Sequence, residues 1–229
     1  MDIVFLHGLN NTGDVFRDVT AALPADIHGH CPTLPPLDNV EALADAVLAS
    51  APPRFHLAGY SFGGYVAMAV LEKARDRVLG LCLMGSSAAA DSDEQKTKRQ
   101  QTLSTFDPAT YVDTASSSVA PFHPDNRERP DLVARRRELA TAYSAQRYVA
   151  HVRATMLRKD RSHLLNAGVP TLWLAGSHDA VVPVKRQAEE AAKAQNCAYV
   201  EIPGAGHLLP LEQPLAVAEA LATWRVRTP

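Results

Sequence analysis

The residues Gly59-Tyr60-Ser61-Phe62-Gly63-Gly64 lie between an apolar run ending at Ala58 and a helical pattern from Tyr65. A serine in a G-x-S-x-G turn, after a strand and before a helix, has the context of a nucleophile elbow. The turn is too tight for large side chains beside the serine, and Gly59 and Gly63 leave room for strand and helix to approach. Ser61 is expected at the tip, its hydroxyl clear of the sheet and near the positive end of the following helix.

A serine hydroxyl is a poor nucleophile at neutral pH and needs a base. Of nine histidines, His207 sits in the loop after the last strand-like run, Tyr199 to Ile202. Gly204 and Gly206 let that loop bend and present the imidazole. Asp179 holds the matching place one run earlier, in Leu174-Ala175-Gly176-Ser177-His178-Asp179. It is expected to accept the Nδ1–H of His207, leaving Nε2 to face Ser61. Two other acids compete for that role. Glu201 lies within a strand pattern, where alternation takes it away from the loop edge. Asp160 lies between Lys159 and Arg161, where a surface ion pair is the simpler account. Acyl transfer also needs donors for a tetrahedral oxyanion. The backbone N–H of Phe62 is one candidate. The other is Leu9 N–H, in His7-Gly8-Leu9-Asn10, where Gly8 would let the chain approach a substrate.

These residues need a scaffold that brings them to one edge. Apolar, β-branched runs occur at Ile3 to Leu6, weakly at Asp26 to His28, and at Phe55 to Ala58, Val78 to Met84, Thr171 to Ala175 and Tyr199 to Ile202. Near-continuous hydrophobicity of this kind predicts parallel strands buried on both faces. Helical patterns separate them at Val40 to Ala49, Tyr65 to Ala74, Val184 to Ala194 and Leu215 to Trp224. The fold class is therefore α/β, with helices on both faces of the sheet. The alternation stops between Ser86 and Gly168. That stretch holds polar helical material around Asp93 to Leu103, a Pro-rich turn at Pro121 to Pro130, and one long helical pattern from Asp131 to about Leu157. Leu132, Arg136, Leu139, Tyr143 and Tyr148 look too irregular for one clean stripe. Residues 1–85 and 169–229 are read as the core domain, and 86–168 as a helical cap that sets substrate size at the ligand-binding edge.

The His7-Gly8-Leu9 strand end, the Gly59–Gly64 turn, Asp179 with Val182-Pro183, and Gly204-Ala205-Gly206-His207 with Glu212-Gln213-Pro214 together resemble the α/β-hydrolase superfamily over essentially the whole chain. The tone is similar to small bacterial esterases, enol-lactone hydrolases and the methyl-ester carboxylesterase of biotin synthesis. The resemblance implies strand order 2-1-3-4-5-6 and a Ser–Asp–His chain order of the catalytic residues. Two features depart from it. The chain opens directly on the His-Gly strand, without a preceding hairpin. The loop after the second strand reads His28-Gly29-His30-Cys31-Pro32 instead of an Asp-x-x-Gly turn.

Composition narrows the partners. The net charge of −2 gives no reason to expect nucleic acid or an anionic membrane. No apolar run approaches the roughly 20 residues of a membrane span, and the first residues lack the basic and apolar regions of a signal peptide. Three cysteines make no disulfide framework, so a cytoplasmic monomer or homodimer is expected. His28, His30 and Cys31 form a single short cluster, which seldom makes a closed zinc site. The arginines at 127, 129 and 135–137, balanced by Glu128, Asp131 and Glu138, read as a solvated helix face. No nucleotide motif is present, and no cofactor is expected.

The expected activity is hydrolysis of a small carboxylic ester or lactone through an acyl-enzyme. C–C bond hydrolysis or thioester cleavage would use the same residues, and a ligand-binding sensor that keeps them is the alternative of another class. Ester turnover is expected to survive dialysis against EDTA unchanged. Loss that zinc restores would assign a metal role to His28, His30 and Cys31.

Overall fold

The computed structural model describes residues 1–225. Six parallel strands form one sheet: β1 (Asp2–Leu6), β2 (His28–His30), β3 (Phe55–Tyr60), β4 (Val78–Met84), β5 (Thr171–Gly176) and β6 (Cys197–Ile202), in the order β2-β1-β3-β4-β5-β6. Successive residues of a strand face opposite sides. Val4, Leu6, Leu57, Leu81, Leu83 and Trp173 accordingly join one buried cluster, while Ile3, Phe5, Ala58, Tyr60, Cys82 and Leu174 join another. The helices α1 (Arg17–Ala22), α2 (Val40–Ser50) and α3 (Phe62–Lys73) follow the first strands. Val40, Leu43, Ala44 and Val47 of α2 and Val66, Met68 and Val70 of α3 cover the first cluster, and Val19 of α1 lies in the second.

Between β4 and β5 the described residues form α4 (Asp93–Ser104), α5 (Tyr111–Ser117), α6 (Pro130–Tyr143) and α7 (Ala145–Leu157), with no strand. After β5 come α8 (Val184–Ala191), α9 (Leu209–Glu212) and α10 (Pro214–Arg225). Val217, Leu221 and Trp224 of α10 pack into the second cluster. Among the described residues, no helix is long and apolar enough to cross a membrane.

Four local expectations are corrected. The second strand is displaced to His28–His30, because Ile27 turns inward through its N–H to Pro24 O and the paired residues are exposed, without an apolar signal. The long pattern beyond Asp131 is two helices. Ser144 adopts φ 78°, accepts the Arg147 N–H on its side chain at 3.4 Å, and starts α7 in a new direction. Third, α6 does bury a single stripe, Leu132, Arg136, Leu139, Ala140 and Tyr143. Arg136 is not on a solvated face. It donates to Ser118 O, and its guanidinium lies 5.8 Å from the Phe122 ring centroid, so its stem and head both find partners inside. Arg135 is held by Asp14 and Glu138, whereas Arg137 stays exposed beside Asp113.

Arg161 ties the strandless segment to the core. Its side chain is 2% exposed, and its Nη2 lies 2.8 Å from Glu41 Oε1 in α2 and 2.9 Å from Glu72 Oε2 in α3. Removing a buried charge from such a set typically costs 3–5 kcal/mol. Both carboxylates keep partial contact with water, so Arg161→Ala is expected at the low end, about 3 kcal/mol. A urea denaturation curve of the variant reads this as a lowered midpoint.

Candidate active site

Ser61 ends the link from β3 to α3 with φ 51° and ψ −116°, in the half of backbone space that a serine seldom occupies. Its N–H donates to Met84 O at 2.8 Å. Its carbonyl accepts from Gly64 N–H at 2.9 Å and from the Ser86 hydroxyl at 2.8 Å. The turn is thus clamped from both sides. Gly59 and Gly63 have no room for a side chain. A Cβ on Gly59 would lie 2.5 Å from Gly64 Cα, and one on Gly63 would overlap Leu6 O.

His207 reaches this turn from the loop after β6. Its Nε2 is 3.0 Å from Ser61 Oγ, and its Nδ1 is 2.9 Å from Asp179 Oδ2. The ring packs against Tyr60, with centroids 5.5 Å apart. Asp179 lies just beyond β5 and is buried. Its Oδ1 accepts the N–H groups of Val181 and Val182, both at 2.8 Å. Burial alone would raise its pKa. The adjacent His207 ring and the hydrogen bonds from His207, Val182 and Val181 outweigh that and hold the carboxyl below the usual range. The competing acids lie elsewhere. Glu201 is exposed on β6 and accepts from Tyr199 OH, while Asp160 accepts the Ser162 N–H at 2.9 Å.

Sequence reasoning missed one support, Gln187, and gave another, Glu212, no role of its own. Gln187 of α8, fully buried, donates from Nε2 to Asp179 Oδ2 at 3.1 Å and accepts from Trp173 Nε1 at 3.2 Å. A polar residue on the buried stripe Gln187, Glu190, Ala191 was the available signal. Glu212, also buried, accepts the N–H groups of Gly206 at 2.9 Å and His123 at 2.7 Å, and the Asn126 amide at 2.9 Å. It fixes the bend that presents His207, whose own N–H donates to Pro121 O at 2.7 Å.

The loop after β1 lies opposite. His7 is wholly buried, with Nδ1 3.0 Å from Gly8 O and Nε2 accepting the Leu34 N–H at 3.4 Å. In a trans peptide the C=O and N–H point opposite ways. Turning Gly8 O toward His7 therefore turns Leu9 N–H away from it. Leu9, Ser61 and Phe62 line one cavity of about 110 Å³. Gln95, Arg99, Thr155 and Arg158 add walls from the segment between β4 and β5. Beneath Phe62, the His151 ring stacks at a centroid distance of 4.7 Å. His151 Nε2–H donates to Pro35 O at 2.7 Å, and Nδ1 accepts from Tyr143 OH at 2.5 Å.

His28 and His30 are exposed, and His30 Nε2 lies 2.7 Å from Asp2 Oδ1. Burial pushes the Cys31 thiol up to about 11, so it is protonated at neutral pH. Among the described residues, no three His, Cys, Asp or Glu side chains gather in a metal-binding group.

A parallel sheet in this order, with an elbow serine at the C-terminal end of its third strand, defines a class of fold and site. The family model described as "Alpha/beta hydrolase family" matches residues 3–220, and the chain belongs to that family. It is 29% identical over 242 aligned residues to the 2-succinyl-6-hydroxy-2,4-cyclohexadiene-1-carboxylate synthase of Escherichia coli O7:K1, covering 96% of this chain and 92% of that protein. It is 36% identical over 101 residues to the pimeloyl-[acyl-carrier protein] methyl ester esterase of Neisseria meningitidis serogroup A. That match covers 40% of this chain and about a third (32%) of the relative's length. Among solved structures, a thermophilic esterase from Thermogutta terrifontis with malate bound superposes with a TM-score of 0.89. It is 26% identical, with 99% of this chain and 90% of that one covered.

Desolvation lowers the pKa of both His7 and His151 to about 4, from an ordinary value of 6.5. Between those values the unfolded chain binds more protons than the folded one, so stability falls as pH drops from about 6.5 to about 4. Each full shift corresponds to a loss on the order of 3 kcal/mol. Urea midpoints are expected to fall steadily across that window, with a shallower slope in His151→Gln. A variant slope equal to wild type would mean that His151 is protonated in the folded chain.

Proposed function

We propose that this chain is a serine hydrolase that cleaves a small carboxylic ester or lactone through an acyl-enzyme on Ser61. The observation that carries the reading is the continuous hydrogen-bond chain Ser61 Oγ–His207 Nε2–His207 Nδ1–Asp179 Oδ2, at 3.0 and 2.9 Å, mounted on a strained turn.

In this reading His207 Nε2 takes the Ser61 proton as Oγ attacks the acyl carbon. Asp179 keeps the neutral imidazole in the tautomer with Nδ1–H and stabilises the imidazolium that forms. The N–H groups of Phe62 and Leu9 receive the developing oxyanion, and losing one such donor typically costs about 3 kcal/mol of transition-state stabilisation. His207 then returns the proton to the leaving alkoxide, and an alcohol departs. Water attacks the acyl-enzyme with His207 again as base, releasing the acid and restoring Ser61. Gln187 and Glu212 are positioning residues in this scheme. Residues 86–168 act as the cap, since Gln95, Arg99, Thr155 and Arg158 wall the cavity that holds Ser61. The cysteines at 31, 82 and 197 are free, which suits a cytoplasmic enzyme.

A second reading has one specific support. The relative that aligns with nearly the whole chain is a synthase by name and not a hydrolase, so the same Ser61–His207–Asp179 unit is also compatible with a reaction other than ester hydrolysis. Product analysis separates the two, because ester cleavage gives an acid and an alcohol in equal amounts.

Ser61→Ala is expected to abolish turnover of p-nitrophenyl esters while leaving the circular dichroism spectrum unchanged, and a fluorophosphonate is expected to label wild type at Ser61. Asp179→Asn favours the wrong imidazole tautomer, with an expected loss on the order of 10⁴ in kcat. Asp160→Asn and Glu201→Gln measured beside it are expected to stay near wild type. Near-wild-type kcat in Asp179→Asn would move the acid elsewhere.

A further inference from the structure

We propose that Arg99, Arg158 and Arg186 form an anion-binding subsite beside Ser61, and that the substrate carries a carboxylate besides the bond that is cut. The inference rests on Ser61 being the nucleophile and goes further, to the class of substrate.

Among the described residues, the cavity that contains Ser61, Leu9 and Phe62 has three charged residues in its wall, and all are arginines. Two come from the segment between β4 and β5, and Arg186 comes from α8. Two carboxylates stand behind them. Asp91, whose side chain is fully buried, accepts Arg99 Nε at 2.7 Å on Oδ2 and pairs with Arg158 Nη1 at 2.7 Å on Oδ1. Glu190 accepts Arg186 Nε at 2.9 Å. Neither acid lines the cavity, so three guanidinium groups face two carboxylates and one positive charge is left in excess.

The way each arginine is held matters as much as the count. Arg158 spends Nε on Ala89 O at 3.0 Å and Nη1 on Thr155 O at 2.9 Å, and its guanidinium lies 3.9 Å from the Tyr65 ring centroid. Arg186 spends Nε on Glu190 and Nη2 on the Ser87 hydroxyl at 3.1 Å. Arg99 spends only Nε. Among the described residues, both terminal nitrogens of Arg99, Nη2 of Arg158 and Nη1 of Arg186 have no hydrogen-bond acceptor. At Arg99, fixing the guanidinium by Nε and leaving both terminal nitrogens free pre-organises a fork that fits a carboxylate in bidentate fashion, while Arg158 and Arg186 each offer one further terminal nitrogen. A cluster whose only task was to pin this segment to the core would need no surplus cation on the cavity wall. The cavity, about 110 Å³, suits a short acid group and not a long apolar chain.

The test compares two substrates of similar size, mono-p-nitrophenyl succinate and neutral p-nitrophenyl pentanoate, through the ratio of their kcat/KM values. Wild type is expected to favour the half-ester about tenfold or more, as charge-assisted hydrogen bonds imply. Arg99→Gln and Arg186→Gln are each expected to lower that ratio about tenfold, mainly through KM for the half-ester. Arg158→Gln leaves Asp91 paired with Arg99 and is expected to lower it likewise. A wild-type ratio near one, or variants that lose both activities equally, would overturn the subsite. Fluorophosphonate labelling separates this from failure of the nucleophile reading. Absence of label at Ser61 sinks both proposals. Label at Ser61 that succinate slows supports the subsite, label that succinate leaves untouched rejects it, and protection by inorganic phosphate alone replaces the carboxylate with a phosphate group.

Discussion

The distance between α3 and the strands beneath it limits everything else at the site. At Gly59 and Gly63 the backbones of β1, β3 and α3 approach so closely that a single methyl group would collide with the neighbouring chain. That approach forces Ser61 to a positive φ and holds it there through Met84 O, Gly64 N–H and Ser86 Oγ. Such a conformation costs of order 1–3 kcal/mol and survives only where surrounding contacts over-determine it. Here they do, and the hydroxyl stands at the C-terminal edge of the sheet, in reach of loops from β1, β5 and β6.

The loops that meet Ser61 are held by buried polar groups, not by apolar packing alone. Asp179 satisfies its oxygens with His207, Gln187 and two backbone N–H groups, and Glu212 gathers three N–H donors from separate segments. An ionised group in such a place is costly unless every lone pair is used. Once it is used, the group fixes loop geometry more tightly than a hydrophobic contact, which has no direction. His7 and His151 do similar work on the other side of the nucleophile as neutral rings, each using both nitrogens in hydrogen bonds.

The segment between β4 and β5 belongs to this economy as well. Arg158 and Arg161 are both almost fully buried. Arg161 joins the segment to α2 and α3, whereas Arg158 pairs with Asp91 of the same segment and stacks on Tyr65 of α3, one turn beyond the elbow. The same helical arm is thus anchored at one arginine and presented to the cavity at the next.

The sequence by itself determined the elements that rest on local pattern. Apolar runs at Ile3, Phe55, Val78 and Thr171 needed burial on both faces, and the glycines around Ser61 needed a close turn, so the sheet and the elbow were legible. Asp179 and His207 were legible because each follows a strand by a few residues, and parallel strands send such loops to one edge. Only the tertiary structure decided contacts between segments distant in the chain. Gln187, Glu212 and Arg158 look like ordinary polar helix or loop residues, and their partners lie on other elements. His28–His30 took the place of the expected 26–28 strand because pairing with β1, not hydrophobicity, defines it. The break at Ser144 escaped for a related reason. Helical periodicity continues on both sides of it, and a positive φ at a serine has no local signal. Burial of Arg136 likewise depends on Phe122 and Ser118 O, which sequence places far from it but the fold brings to its side.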